Sequence, residues 1–213
     1  MLSNLSQKSS TFVHSCGRIY NNFEDLNSNS DKFFANTKNQ LEQLKLKLTS
    51  RATDSEDNGE TISPIFLVGF PRSGTTLMDT ILRSHSKIEV LEEKPTVVAA
   101  KAAIRKNGYN EIHNKVFSID IISEARSSYI KEFRKHIKSS DTNSVYIDKL
   151  PLNLIEVPLI NQLFPSAKFI LALRHPFDTI LSCWMQNFKL NAAMANMVDL
   201  DRIVRLYLSL IHI

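Results

Sequence analysis

PIFLVGFPRSGTT, at residues 64–76, is the stretch of sequence that decides the fold. An apolar run suited to a buried strand leads into a turn framed by two glycines, and a helical pattern follows. This order is typical of a phosphate-binding loop, G-x-x-x-x-G-K-[ST]. Both glycines and Thr76 are in register with that pattern, but Thr75 stands in place of the lysine and Arg72 lies inside the loop. The stretch therefore predicts an oxyanion held by backbone N–H groups at a helix N-terminus, without the lysine that reaches a nucleoside triphosphate.

Composition places the chain among ordinary globular proteins. Its 213 residues are 43% hydrophobic and 23% charged, and 26 basic against 22 acidic residues give a net charge of +4. No apolar run approaches the roughly 18 residues that a membrane span needs, and the N-terminus lacks the apolar core of a signal peptide. We therefore expect a cytoplasmic protein. Cys183 lies in an apolar helical pattern far from Cys16 in sequence, which favours a buried free thiol over a disulfide.

The sequence divides into three segments. Residues 1–50 are predicted to form a short helical N-terminal segment, whose spacings fit a single degenerate tetratricopeptide repeat. Residues 51–62 are polar and lack apolar periodicity, so we interpret them as a linker. Residues 63–213 form the main domain. Its last helix, ending LYLSLIHI, has no capping residue or trailing turn, so we expect this domain to be truncated at its C-terminal end and the chain to be a fragment.

Strands and helices alternate through the main domain. Near-continuous apolar strands in such an alternation predict an α/β fold with a parallel sheet flanked by helices on both faces. In such sheets ligands bind outside the carboxyl ends of the strands, so chemistry is expected at residues 69–76, 91–95, 148–151 and 174–177. The strands are predicted at residues 65–69, 88–91, 145–147 and 168–174, and the helices at residues 75–85, 95–107, 120–138, 152–164, 176–189 and 198–212.

Charged and hydroxyl side chains converge on these four loops. Arg174 ends an apolar strand, and Ser182 lies two turns along the helix that Pro176 opens, so the two could bracket one phosphate. The alternative is that Arg174 pairs with a nearby acid and Ser182 bonds the carbonyl four residues before it. The other loops carry Arg72, Ser73, Thr75 and Thr76, then Glu92 and Glu93, and then Asp148 and Lys149.

Two long segments resemble one family. IFLVGFPRSGTTLM, at residues 65–78, resembles the 5′-phosphosulfate loop of sulfotransferases that use 3′-phosphoadenosine-5′-phosphosulfate (PAPS). DKLPLNLIEVPLINQLFPSAKFILALRHPFDTILSCWMQNF, at residues 148–188, resembles the 3′-phosphate half of the same family. The strongest likeness is to bacterial sulfotransferases that follow tetratricopeptide repeats and are similar to tyrosylprotein sulfotransferases. The resemblance covers residues 64 to about 213 and implies a P-loop-type α/β sheet.

The resemblance also implies roles for individual residues. Lys149 matches a lysine beside the transferring sulfuryl group, and Glu93 matches the catalytic base that takes the proton of the acceptor. Arg72 would stabilise the charge that develops on the sulfuryl oxygens, as a fixed cation in the loop. The co-substrate PAPS would be bound by Arg72, Ser73, Gly74, Thr75, Thr76, Arg174 and Ser182.

Competing interpretations remain for several of these side chains. Lys149 could be a surface lysine paired with Asp148. Glu92 and Glu93 would point to opposite sides of an extended segment, and either could be solvated. His85 is an alternative base, although it ends a helix and not a strand. The basic run KEFRKHIK, at residues 131–138, has helical spacing and is interpreted as a solvated helix face, so no nucleic-acid partner is expected.

The expected reaction moves a sulfuryl group from PAPS to an acceptor hydroxyl or amine by in-line attack. Lys94-Pro95 stands where tyrosylprotein sulfotransferases carry Thr-Arg, so the acceptor class, a small molecule, a glycan or a protein, stays open. No metal is expected, because the histidines are scattered and no metal-ligand spacing occurs. Two alternatives are a catalytically silent nucleotide-binding remnant and a P-loop small-molecule kinase, which Thr75 in the lysine position disfavours.

Overall fold

The computed structural model describes residues 31–32, 35, 63–112, 115–138, 144–189 and 191–211. The predicted N-terminal segment, the linker and Cys16 lie almost wholly or wholly outside them. The main elements, in chain order, are β1 (Ile65–Gly69), α1 (Thr75–Arg83), β2 (Ile88–Glu92), α2 (Thr96–Lys106), α3 (Ile119–Arg134), β3 (Val145–Lys149), α4 (Val157–Leu163), β4 (Lys168–Ala172), α5 (Pro176–Trp184) and α6 (Leu200–Ile211). Two short 3₁₀ helices, Pro151–Leu154 and Met194–Met197, precede α4 and α6.

The described strands form one parallel sheet in the order β2-β3-β1-β4. β1 pairs with β3 on one side and with β4 on the other, and β3 pairs with β2. Every pair runs parallel, so the carboxyl ends of all four strands meet at one edge of the sheet. The predicted α/β fold with a parallel sheet is confirmed.

Helices cover both faces of the sheet. Phe66 and Val68 of β1 pack into the larger core together with apolar side chains of α2 to α6. Leu67, one residue out of phase, belongs to a smaller cluster on the opposite face, against which Leu82 of α1 packs. A strand buried on both faces needs a continuous apolar run, which explains why β1 reads IFLVG.

Several elements end earlier than the sequence patterns predict. α1 ends at Arg83, α3 at Arg134 and α5 at Trp184, against predicted ends at residues 85, 138 and 189. β4 ends at Ala172, the partner of Gly69 at the end of β1, because beyond that pair β1 offers no further backbone groups to bond. Arg174 therefore lies in the loop after β4 and not on the strand.

Among the described residues, no helix combines the length and the apolar character that crossing a bilayer would require.

Candidate functional site

The loop between β1 and α1 has two residues with left-handed backbone geometry. Arg72 has φ 67° and Gly74 has φ 100°. Gly74 adopts this angle without cost, whereas a residue with a Cβ such as Arg72 does so at an expense of about 1 kcal/mol or more. The Ser73 N–H donates to the carbonyl of Phe70 at 3.1 Å, which closes the turn. The turn directs the chain sharply from β1 into the N-terminus of α1.

Gly69 is needed at the end of β1 because the loop folds back onto it. A Cβ at this position would lie 2.6 Å from Ser73 Oγ and 2.8 Å from the carbonyl oxygen of Ala172. Ser73 Oγ is itself buried and has no hydrogen-bond partner within the described part of the chain. A buried hydroxyl without a partner, beside the start of a helix, suits an oxyanion ligand that would accept its hydrogen bond.

Arg174 and Ser182 lie beside Arg72 of this loop, and we call these two residues together with the loop 69–76 the loop half of the site. Arg72 Nε donates to Ser182 Oγ at 3.1 Å. Arg174 donates to the backbone carbonyl of Arg72 at 3.4 Å and lies 3.8 Å from an Asp178 carboxylate oxygen. The alternative pairing of Arg174 with a nearby acid is thus present, while Ser182 serves as the acceptor for Arg72.

Cys183 fixes α5 against the loop. It is fully buried, and its Sγ donates to the carbonyl of Pro71 at 3.2 Å. Burial raises the pKa of the Cys183 thiol to about 12, although the nearby Arg72 opposes that shift. The thiol therefore stays protonated at neutral pH and keeps this hydrogen bond. The predicted buried free thiol is confirmed.

Lys149, Glu92 and Glu93 form a second group at the ends of β2 and β3, which we call the lysine half of the site. The Lys149 side chain is 0% exposed, and its Nζ lies 3.1 Å from a carboxylate oxygen of Glu92 and 3.1 Å from one of Glu93. The carboxylates themselves are 48% and 56% exposed. The two acids thus cover the ammonium group from the solvent side.

Both glutamates reach Lys149, so the expectation that they point to opposite sides was wrong. Glu93 has φ 52°, which breaks the extended geometry directly after β2. Its N–H donates to the carbonyl of Lys149 at 2.8 Å, which holds the turned backbone against β3. Because this turn cancels the alternation of a strand, Glu93 faces the same side as Glu92.

The alternative that Lys149 is a surface lysine paired with Asp148 was also wrong. Asp148 is fully buried, and one of its carboxylate oxygens accepts hydrogen bonds from Thr96 Oγ1 and Tyr129 Oη, each at 2.6 Å. Burial raises the pKa of Asp148, and the two hydroxyl hydrogen bonds offset part of that rise. Thr96 opens α2 just after Glu93, so its bond to Asp148 ties the loop that carries Glu93 to β3.

Two further charged residues, which were not predicted from the sequence, adjoin the lysine half. Arg83 makes a bidentate ion pair with the buried Asp79 on α1. Its Nη2 also lies 3.6 Å from a carboxylate oxygen of Glu92. The spacing of four residues between an acid and an arginine on a predicted helix was the signal available. That the pair adjoins β2 depends on tertiary packing.

The remaining candidates from the sequence lie away from both halves. His85 is exposed just after α1, and its Nδ1 accepts a hydrogen bond from the backbone of Lys87, a contact that caps the turn. In the run 131–138, the lysines and Arg134 are exposed, in agreement with a solvated face. Within the described ranges, no three His, Cys, Asp or Glu side chains lie close enough together to hold a metal ion.

The model of the Sulfotransferase family matches residues 64–212, which are most of the chain and include every described strand and both halves of the site. The chain belongs to the sulfotransferase family. The α/β sheet and the strand-end position of the site agree with this assignment.

Curated proteins similar to this chain include protein-tyrosine sulfotransferases. The chain is 30% identical over 134 residues to protein-tyrosine sulfotransferase A of Caenorhabditis elegans, covering 60% of this chain and 35% of that protein. It is 30% identical over 115 residues to human protein-tyrosine sulfotransferase 1, covering 52% and 30%. An uncharacterized protein of Aquifex aeolicus is 34% identical over 133 residues, covering 59% and 17%. The matched part of this sulfotransferase family member thus spans about a third or less of these relatives.

Proposed function

We propose that this protein transfers a sulfuryl group from PAPS to a hydroxyl or amine of an acceptor. The observation that carries the proposal is that a phosphate-type loop and a buried lysine covered by two carboxylates lie at one edge of one parallel sheet. The loop half has the donors that an anionic co-substrate needs. The lysine half has a cation for the transferring group and a carboxylate for the proton of the acceptor.

The loop half is assigned to binding of PAPS. The 5′-phosphosulfate would be held by the backbone and side chains of residues 72–76, where the unpartnered hydroxyl of Ser73 and the start of α1 fit an oxyanion. Arg174 and Ser182 are assigned to the 3′-phosphate. Both are already linked to Arg72, so the two phosphate sites would be braced against each other.

The lysine half is assigned to the transfer itself. The acceptor oxygen or nitrogen forms a bond to sulfur, the bond from sulfur to the bridging oxygen breaks, and 3′,5′-ADP leaves. Glu93 takes the proton of the acceptor, and Arg72 and Lys149 stabilise the charge on the sulfuryl and bridging oxygens. Each such fixed donor is worth on the order of 3 kcal/mol in comparable sites.

Glu93 suits the role of base better than Glu92 does. Glu92 contacts two cations, Lys149 and Arg83. Within the described part of the chain Glu93 pairs with Lys149 only, and it is the more exposed carboxylate. If Glu93 turns toward an acceptor, Lys149 keeps one counter-ion. A fully buried ammonium without any partner would be far more costly.

Calorimetric titration with 3′,5′-ADP tests the proposal. We expect binding by the intact chain, and a loss of roughly 10- to 100-fold in Arg174→Ala, since a hydrogen-bonded charge of this kind contributes about 1.5–3 kcal/mol. Arg134→Ala, at the exposed end of α3, is the matched control and should bind normally. Absence of binding, or binding that Arg174→Ala leaves unchanged, would refute the proposal.

The acceptor is left as a hydroxyl or amine on a small molecule, a glycan or a protein. Two of the relatives named above are protein-tyrosine sulfotransferases by name, but Lys94 and Pro95 follow the two glutamates here. A cytoplasmic location remains a prediction from the sequence. Tight binding of 3′,5′-ADP with no release of 3′,5′-ADP from PAPS, over a broad panel of acceptors, would favour the catalytically silent alternative.

A further inference from the structure

A chain of alternating charges runs from α1 into the lysine half. The buried Asp79 holds Arg83, Arg83 lies 3.6 Å from Glu92, and Glu92 lies 3.1 Å from Lys149. Glu93 is the last member and contacts Lys149 from the other side of the ammonium group. The proposed function uses Lys149 and Glu93 but gives no role to Asp79 or Arg83.

Lys149 cannot meet a sulfuryl oxygen in the arrangement described, because its side chain is 0% exposed beneath the two carboxylates. One carboxylate must move away before an anion can contact the ammonium group. Glu92 and Glu93 lie at the same distance from Lys149, and both are about half exposed. Their contacts with Lys149 alone therefore do not decide which of them moves.

Arg83 supplies the difference between the two acids. Its two hydrogen bonds to the buried Asp79 fix the guanidinium on α1, and the same contact raises the pKa of Arg83. A guanidinium fixed in this way is a preorganised second partner for Glu92. Glu93 ends an exposed turn with left-handed geometry and has no arginine beside it among the described residues.

We infer that Arg83 is a positioning residue that anchors Glu92, so that Glu93 is the carboxylate that leaves Lys149 when PAPS binds. The inference rests on the proposed function, since it assumes that a sulfuryl group takes the place vacated beside Lys149. Asp79 acts one step further away by holding Arg83. With Glu92 held in this way, Glu93 is the carboxylate that moves, and Lys149 keeps Glu92 as its partner throughout.

The test compares the affinities of PAPS and 3′,5′-ADP, measured by calorimetry without acceptor. Only PAPS carries the sulfuryl group, so the ratio of the two dissociation constants reports on the residues that contact that group, Lys149 among them. Arg83→Met leaves Glu92 unanchored and the lysine half more negative. We expect it to weaken PAPS binding about 3- to 5-fold, the size of one partly exposed ion pair, with less than a twofold change for 3′,5′-ADP. Arg83→Lys keeps the charge but not the bidentate contact with Asp79, so it should restore the ratio only in part.

Two controls separate positioning from charge and from folding. Arg105→Met removes the same charge from the last turn of α2 and should leave the ratio unchanged. In a Glu92→Gln background Arg83 has no carboxylate to anchor, so Arg83→Met should no longer change the ratio. Both variants are expected to fold, because Arg83 is partly exposed and Glu92→Gln is nearly isosteric. The melting temperature of each variant checks this.

The outcomes are distinct. An equal loss of both nucleotides in Arg83→Met would indicate a purely structural role and overturn the inference, as would an unchanged ratio. A selective loss that persists in the Glu92→Gln background would mean that Arg83 acts by charge alone, which also overturns it. If the intact chain binds neither nucleotide, the proposed function fails, and the inference fails with it.

Discussion

The two halves of the site differ in how they are built. The loop half consists mostly of one continuous stretch, residues 69–76, and its arginines and hydroxyls are linked by single hydrogen bonds at an exposed edge. The lysine half is assembled from the ends of β2 and β3, α1 adjoins it through Arg83, and its central ammonium group is completely buried. The first half is thus a local motif joined by two residues from a later part of the chain, whereas the second is wholly a product of tertiary structure.

The difference indicates a division of labour. Hydrogen-bond donors on a loop at a helix N-terminus suit the binding of an anion. A buried lysine flanked by carboxylates suits chemistry, because charges interact more strongly where water is excluded. Under the proposed function, substitutions in the loop half should therefore change binding of 3′,5′-ADP, and substitutions in the lysine half should change turnover.

The largest effect is expected from Glu93→Gln. The amide cannot take the proton of the acceptor, so release of 3′,5′-ADP from PAPS in the presence of acceptor should fall by about 100-fold or more. Binding of 3′,5′-ADP should be nearly intact, because Glu92 still pairs with Lys149. Glu111→Gln, at an exposed position remote in sequence from both halves, serves as the control. A large loss of nucleotide affinity instead would assign Glu93 to binding and erase the distinction between the halves.

An intermediate effect is expected from Gly69→Ala. The added methyl group would press on Ser73 Oγ and on the carbonyl of Ala172, which costs about 1–3 kcal/mol of stability and distorts the loop. The melting temperature and the affinity for 3′,5′-ADP should both fall. Gly108→Ala, which strains a residue with φ 86° after α2, should lower stability while leaving binding unchanged. Normal nucleotide binding by Gly69→Ala would show that the close packing of the loop is not needed for its function.

The smallest effect is expected in the pH dependence of stability, through Asp148, the buried residue that precedes Lys149 on β3. Because burial raises the pKa of Asp148, the folded protein keeps a proton at pH values where the unfolded chain has released it. The stability that protonated Asp148 contributes is therefore lost as the pH rises from the ordinary pKa of an aspartate through the raised pKa of Asp148. Asp148→Asn has no proton to release, so its unfolding free energy relative to the intact chain should improve over that interval. Parallel stability curves for the two proteins would contradict this.

The sequence was sufficient for the parallel sheet and for the turn after β1, because both depend on local order. Apolar strands alternating with helices require a parallel sheet, and the glycine-framed turn after β1 has few alternatives. The contacts of Arg72 with Arg174 and Ser182 depend on how the chain after β4 packs against that turn. The bounds of β4 were predicted less well, since where a strand ends depends on how far its neighbour extends. Arg174 accordingly lies beyond the strand that was expected to carry it.

The lysine half was predicted only in part. Lys149 and Glu93 were selected by resemblance, but their contact, and the burial of Lys149 beneath two acids, depend on β2 lying beside β3. The turn at Glu93 could not be anticipated, because a positive φ at a glutamate leaves no compositional signal. Thr96 and Tyr129 are ordinary helix residues in the sequence, and only the packed structure places their hydroxyls on Asp148.

The thiol of Cys183 allows the contact between the loop and α5 to be followed by chemical labelling. Its hydrogen bond to Pro71 and its complete burial mean that a thiol reagent can reach it only when α5 separates from the loop. The rate of labelling at Cys183 thus measures how often the loop half opens. A nucleotide that bridges Arg72, Arg174 and Ser182 should slow that labelling. The labelling rate of Cys183 therefore ranks nucleotides by how well they hold the loop half closed, without knowledge of the acceptor.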